Sequence, residues 1–334
     1  MYWYEEKSTS PSAVLSTRVR FARSLEGIPF PHRASPEERR TVYEKVLEAF
    51  SGTGMMEVSF DRAEEAVREA YIQTRLASRE LGQTGPHAGL LIAADGKGAV
   101  MINEEDHLRI QVIRKGKALR EAFSEAKALC RKAEEKLFFA YRDGLGYLNA
   151  CPTNLGEGMR LSVMIHLPAL SASGKMDALI RRISDSGFTV RGIFGEKSRE
   201  AGGIYQISNQ CSREKTGEEI LRSFEKAVEA VEEAEKAATA GLLSRDRLFW
   251  EDRVSRALGT LKYAKKMNYG EFVELYSTVR FGASANLGEA PDPDLLDRLF
   301  VELQRGPLVL RDRSLADERE RDRRRSEILR ERLE

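Results

Sequence analysis

Four short segments concentrate arginine, glutamate and glycine in a way that a packed interior does not require. They are Ser16-Thr17-Arg18-Val19-Arg20, Asn103-Glu104-Glu105-Asp106-His107-Leu108-Arg109, Cys151-Pro152-Thr153-Asn154-Leu155-Gly156 with Arg160, and Arg191-Gly192-Ile193-Phe194-Gly195-Glu196. In a strand Arg18 and Arg20 point the same way, and Arg160 opens the apolar run LSVMIHLP. Several guanidinium forks can thus converge on one anion, which makes a polyphosphate clamp. The chain has no GxxxxGKS or GxxxxGKT loop, so in a nucleotide site arginines must replace the backbone cradle. Each segment alone has a plainer reading: a solvated strand face, a surface turn, a structural Cys-Pro. Together they favour chemistry.

The elements that must hold these residues follow from periodicity and capping. Residues 14–23 read as a strand, and Ser35-Pro36-Glu37-Glu38 opens a helix with a capping box. The runs 89–93 and 99–103 flank Ala94-Asp95-Gly96-Lys97-Gly98 as a β-hairpin. A long amphipathic helix is predicted from about Lys117 to Arg142, with Gly144 as its stop. LSVMIHLP predicts a strand with Leu161, Val163 and Ile165 on one face, and 188–194 and 203–209 predict two more. From Thr216, a capping-box residue with Glu219, helices follow near 217–240, 245–267, 270–281, 292–304 and 315–333. The chain is therefore α+β over its first two thirds and α over its last. Residues 311–334 hold 9 Arg and 8 acidic residues, the composition of a solvated helix laced with ion pairs.

Composition narrows the class. The 334 residues have room for two domains, and 41% apolar with 32% charged residues is an ordinary globular mixture. A net charge of +1 argues against holding nucleic acid by bulk charge. Cys130, Cys151 and Cys211 are too few for a disulfide framework and form no CxxC pair, which suits a reducing cytoplasm. The first residues lack a secretory pattern and no run is long enough to span a bilayer, so a cytoplasmic protein without membrane contact is expected. His166 and His32 read as packing or surface residues, and Cys130 and Cys211 as structural.

The stretches STRVRFARSLEGIPFP, INEEDHLRIQ, CPTNLGEGMRLSVMIHLPAL and RGIFGEKSREAGGIYQISNQ resemble the ATP:guanido phosphotransferases, or phosphagen kinases, over most of residues 14–240. The likeness is greatest to their bacterial protein-directed branch, whose helical C-terminal domain resembles RLFWEDRVSRALGTLKYAKKMNYGEFVELYSTVRFG. The resemblance implies a catalytic domain at 1–240, an antiparallel sheet flanked by helices, and an all-α domain at 241–334. It also implies ATP as phosphoryl donor, with Mg²⁺ held through the nucleotide phosphates.

By that resemblance Arg18, Arg20, Arg109, Arg160 and Arg191 grip phosphates, within a nucleotide site that takes in Ser16, Thr17 and Val19. Glu105 and Glu196 align and deprotonate the guanidinium acceptor, and Cys151 matches the family's reactive cysteine. The family carries a His in the segment matching YIQTRLAS, where this chain has Arg75, which can contact phosphate or stack on adenine. Fifteen residues precede STRVR, where small-molecule phosphagen kinases carry a helical domain, so a more open acceptor site and a protein-borne arginine are expected. Arg321, Asp322 and Arg325 match an RDxxRA motif that binds phosphoarginine allosterically, with Ser326 in place of Ala. The implied partners are protein substrates, an activator protein, a Clp-type protease ATPase and a second copy of the chain. Two other readings remain: a kinase of free arginine or another small guanidine, and a phosphoarginine-binding adaptor.

Overall fold

The structure is a computed structural model and describes residues 2–8, 12–192, 201–212 and 215–334. In chain order the elements are β1 (Val14–Arg23), α1 (Pro36–Ala49), β2 (Met56–Ser59), α2 (Glu65–Gln73), β3 (Gly89–Ile92), β4 (Gly98–Ile102), β5 (Leu108–Lys115) and α3 (Leu119–Glu134). Next come β6 (Tyr141–Arg142), β7 (Gly146–Tyr147), β8 (Met159–His166), α4 (Pro168–Ala172), α5 (Met176–Asp185), β9 (Phe188–Gly192) and β10 (Ile204–Asn209). The remainder is helical: α6 (Gly217–Arg245), α7 (Arg247–Tyr263), α8 (Tyr269–Ser284), α9 (Pro293–Glu302), α10 (Arg305–Arg311) and α11 (Glu318–Leu333).

The chain forms two compact units. One comprises residues 1–6, 16–163 and 208–226, the other 7–15, 164–207 and 227–334. In the first, the sheet runs β2-β3-β4-β5-β1-β8, with antiparallel registers from β2 through to β1. Strand alternation gives this sheet two unlike faces. Val19 pairs with Val112 and Phe21 with Ile110, and Phe21 meets Phe123 of α3 at 6.3 Å between ring centroids. That face is the core, closed by Val42 and Val46 of α1 and by Ala122, Ala126 and Cys130 of α3, all buried. The opposite face carries Arg18 opposite Ile113, Arg20 opposite Gln111, and Ala22 opposite Arg109.

Local signals set several boundaries. The Ser35 hydroxyl accepts from Glu38 N while Glu38 reaches back to Ser35 N, and Thr216 and Glu219 do the same ahead of α6. Gly96, at φ 65°, turns the hairpin between β3 and β4. The helix expected to reach Arg142 ends instead at Glu134. Ala140 N donates to Ser24 O at 2.8 Å and Glu26 N to Phe138 O at 3.0 Å, so pairing with residues 24–26 draws this stretch into extended backbone despite its helical periodicity. Gly144, at φ 78°, turns the β6–β7 hairpin rather than stopping a helix. β8 also departs from its single apolar face: every residue of it but Arg160 is buried.

In the second unit β8, β10 and β9 are neighbours in the sheet, and α7, α8, α9 and α11 pack on one another around Phe272, Tyr276 and Phe300. Arg280 joins Asp297 through two hydrogen bonds, and Asp297 also accepts from Tyr276 Oη at 2.7 Å. His166 completes this buried network, bonding through Nε2 to Ser277 Oγ at 2.8 Å and through Nδ1 to Arg280. Burial, reinforced by the Arg280 charge, holds its pKa well below the usual histidine value, so the ring is neutral and serves packing. α11 is solvated only on its outer face; Arg325, Ser326, Leu329 and Leu333 are buried.

Candidate active site

Alternation in β1 and β5 brings Arg18, Arg20 and Arg109 to one face of the sheet. Arg18 Nε donates to Ser162 Oγ at 3.4 Å, which places Ser162, and Arg160 two residues before it on β8, on the same side. Arg160 Nη2 reaches Ser208 Oγ at 3.2 Å. Burial and the neighbouring Arg20, Arg75, Arg109 and Arg160 hold Arg18 well below the ordinary arginine pKa. Arg20 is lowered to about 9, by burial first and then by Arg109 and Arg160, with Glu104 and Glu80 opposing. Its Nε is buried and has no hydrogen-bond partner among the described residues. Desolvated like charges side by side are a cost that a bound polyanion removes.

The same alternation divides the side chains of the other β1 residues expected at the nucleotide site. Ser16 lies on the arginine face, but Thr17 and Val19 point to the other, with Val19 in the core. Thr17 Oγ1 donates to Gly116 O and accepts from Ala118 N, bracing the start of α3. Their side chains are excluded from the arginine cluster by the strand's period of two.

Residues 103–107 connect β4 to β5 and carry three carboxylates with different duties. Glu104 is 2% exposed, bonds Arg109 Nη1 and Ser78 Oγ, and accepts from Glu105 N at 2.8 Å. Glu105 is exposed and accepts from Arg109 Nη2 at 3.0 Å. One carboxylate therefore fixes Arg109 from beneath while the other stays open to a ligand. Asp106 faces the opposite way: buried, it accepts from Ala150 N at 2.6 Å and Asn154 Nδ2 at 3.3 Å, tethering the segment that bears Cys151. Burial, the largest influence, raises its carboxyl to about 6. Cys151 is half-buried with Sγ 3.0 Å from Thr153 Oγ1, whereas Cys130 is buried on α3 and its thiol is pushed up to about 12, chiefly by burial.

Arg75 follows the C-terminus of α2 at φ 65°, a left-handed backbone that costs a residue with a side chain roughly 1–2 kcal/mol. Its charge bears on Arg18, so it belongs with the arginine cluster. Arg191 lies exposed on β9 in the second unit, and Glu196 lies outside the described residues. In α11 the Arg325 guanidinium donates to Leu303 O, Met267 O and Asp322 Oδ1, while Arg321 donates to Leu315 O and Ala316 O. Arg325 is thus committed to the fold, and Asp322 is the more exposed member of the pair.

Glu104, Asp106 and Ser162 escaped the sequence reading as groups that hold the site residues. Glu104 and Asp106 sit inside the acidic turn that was singled out, but nothing in their spacing shows which carboxylate is buried.

Residues 40–238 match the family model described as ATP:guanido phosphotransferase, C-terminal catalytic domain, and residues 246–334 match protein-arginine kinase McsB C-terminal domain. The protein-arginine kinase of Halothermothrix orenii is 36% identical over 335 residues, covering 99% of this chain and 96% of that protein. That of Syntrophomonas wolfei is also 36% identical, over 340 residues, covering 99% and 95%. Among solved structures, lombricine kinase aligns with a TM-score of 0.62 at 24% identity, covering 68% of this chain and 67% of that one. The duplicated taurocyamine kinase of Schistosoma mansoni aligns with a TM-score of 0.62 at 23% identity, covering 80% and 40%. These likenesses show a shared fold.

Proposed function

This chain belongs to the ATP:guanido phosphotransferase family and is an ATP-dependent phosphotransferase acting on a guanidino nitrogen, and from that premise we propose that it phosphorylates arginine side chains of proteins. The observation that carries the reading is the arginine face of the first unit, where Arg18, Arg20, Arg109 and Arg160 stand together and burial with one another's charge lowers Arg18 and Arg20. A triphosphate fits this donor set, because its anionic oxygens can accept from several guanidinium forks at once and offset their mutual repulsion. Mg²⁺ held through those phosphates would neutralise further charge on them.

Transfer needs a neutral nitrogen in line with the γ-phosphorus. Glu105, exposed beside Arg109, accepts N–H bonds from the incoming guanidinium and takes one of its protons as that nitrogen attacks; the bond from phosphorus to the ADP oxygen breaks. Glu104 keeps Arg109 in place as Glu105 turns to the substrate. Glu196 is proposed as the second carboxylate and Cys151 as a reactive side chain beside the substrate cation. Arg75 and Arg191 are proposed as further nucleotide contacts.

The match at residues 246–334 supports a protein-borne acceptor. We take residues 1–240 as the catalytic domain and 241–334 as a helical domain for substrate docking, with a phosphoarginine site at Arg321, Asp322 and Arg325. In that site Arg325 holds the Asp322 carboxylate for the guanidinium end of the ligand. In this reading the protein works in the cytoplasm as a dimer or larger assembly, with an activator, and its products pass to a Clp-type protease. No described helix is long and apolar enough to cross a membrane.

Incubation with ATP, Mg²⁺ and casein should yield acid-labile phosphate on arginine. Glu105→Gln or Glu196→Gln should cut turnover by about 10²-fold or more, the usual scale for a lost general base, with nucleotide affinity near wild type. Faster turnover of free arginine than of casein would favour the small-guanidine reading, and binding of phosphoarginine without turnover the adaptor.

A further inference from the structure

The end of α2 closes with Arg75 N donating to Ile72 O at 3.0 Å and Leu76 N to Tyr71 O at 2.9 Å. That pattern asks for positive φ at the residue after the cap and is ordinarily met by glycine; here Arg75 meets it at 65°. Three successive carbonyls around this residue are then captured by side chains. Trp3 Nε1 donates to Thr74 O at 2.8 Å, and Gln111 Nε2 donates to Arg75 O and to Leu76 O, both at 2.9 Å. Gln111 is 1% exposed, pairs with Arg20 across the β1–β5 ladder and lies two residues from Arg109. Its side chain therefore rises from the arginine face itself and fastens the Arg75 turn over it.

We propose that Gln111, assisted by Trp3, is a positioning residue that holds Arg75 in the phosphate clamp, so that Arg75 contacts nucleotide phosphate rather than the adenine ring. The proposal rests on the kinase reading above. A strained backbone at an arginine, over-determined by three side-chain hydrogen bonds, is the arrangement expected where a charge must be presented at one spot. The Arg75 charge also bears on Arg18, which sets it with the cluster at the phosphate end of the proposed nucleotide site.

Calorimetric titration with ATP and with AMP tests this on wild type, Arg75→Asn, Arg75→Lys, Gln111→Leu and Trp3→Phe. Asn tolerates positive φ, so Arg75→Asn removes the charge while keeping the turn. It should weaken ATP binding about tenfold or more and AMP binding by less than about threefold, as loss of a charge-assisted phosphate contact requires. Arg75→Lys should restore most of the ATP affinity. Gln111→Leu and Trp3→Phe, which keep the charge, should weaken ATP in the same selective way and raise KM for ATP more than they lower kcat. Equal losses for ATP and AMP in Arg75→Asn, or none, overturn the phosphate assignment. Wild-type ATP affinity in both folded Gln111→Leu and Trp3→Phe overturns the positioning role. Should Gln111→Leu fail to fold, Trp3→Phe, which keeps a ring but loses the N–H, decides that role. Wild-type protein that binds no ATP would instead remove the kinase reading itself.

Discussion

In the first unit Arg18, Arg20, Arg109 and Arg160 crowd one sheet face, and burial together with one another's charge lowers Arg18 and Arg20. In the second unit Arg280 is buried as deeply but faces Asp297 and Tyr276, and although burial pulls its pKa down, the Asp297 charge more than restores it. Arg298 and Arg311 likewise share the buried Glu302, whose carboxyl they lower against the opposing pull of burial. The same side chain is thus a clamp where its neighbours repel it and a rivet where a carboxylate meets it. Burial alone does not tell the two apart; the sign of the neighbouring charge does.

The contrast breaks most visibly at Arg20. Arg20→Met should lower turnover by about 10³-fold, the scale of an arginine that stabilises a transferring phosphoryl group. Its melting temperature should hold or rise, because like-charge repulsion is relieved and the Nε had no hydrogen-bond partner among the described residues. A clear drop in melting temperature with turnover retained would make the arginine face structural after all. Arg280→Met should behave in the opposite way. Leaving Asp297 buried without its cation should cost roughly 3–5 kcal/mol of stability in a urea titration, with ATP affinity of the folded fraction unchanged.

A smaller effect is expected at Asp322, where the pair with Arg325 is partly open to solvent. Asp322→Asn should cost roughly 1–3 kcal/mol, since the Arg325 guanidinium keeps Leu303 O and Met267 O but loses its carboxylate. If the phosphoarginine site is real, the same change abolishes stimulation of casein phosphorylation by added phosphoarginine; unaltered stimulation would leave the pair as a fastening of α11 alone.

What the sequence determined by itself is whatever depends on neighbours along the chain. The capping boxes at Ser35 and Thr216, the hairpin at Gly96 and the shared orientation of Arg18 and Arg20 in β1 are short-range, and each stands where its spacing implied. The grouping of Arg160 with the β1 arginines was also legible, because β8 announced itself as an apolar run with Arg160 at its mouth. Tertiary structure decided the rest. Residues 135–142 leave the helix because backbone pairing with 24–26 outweighs local propensity, and no window of sequence contains both partners. Glu104 and Glu105 are alike and adjacent, yet only packing against Ser78 and Arg109 buries one and leaves the other open. Gln111 reads as an unremarkable polar residue in a strand until the fold sets the carbonyls of Arg75 and Leu76 within its reach, a partner thirty-six residues away in the chain. Charge and hydrogen-bond complementarity act through space, so a side chain's role depends on which remote groups the fold places beside it.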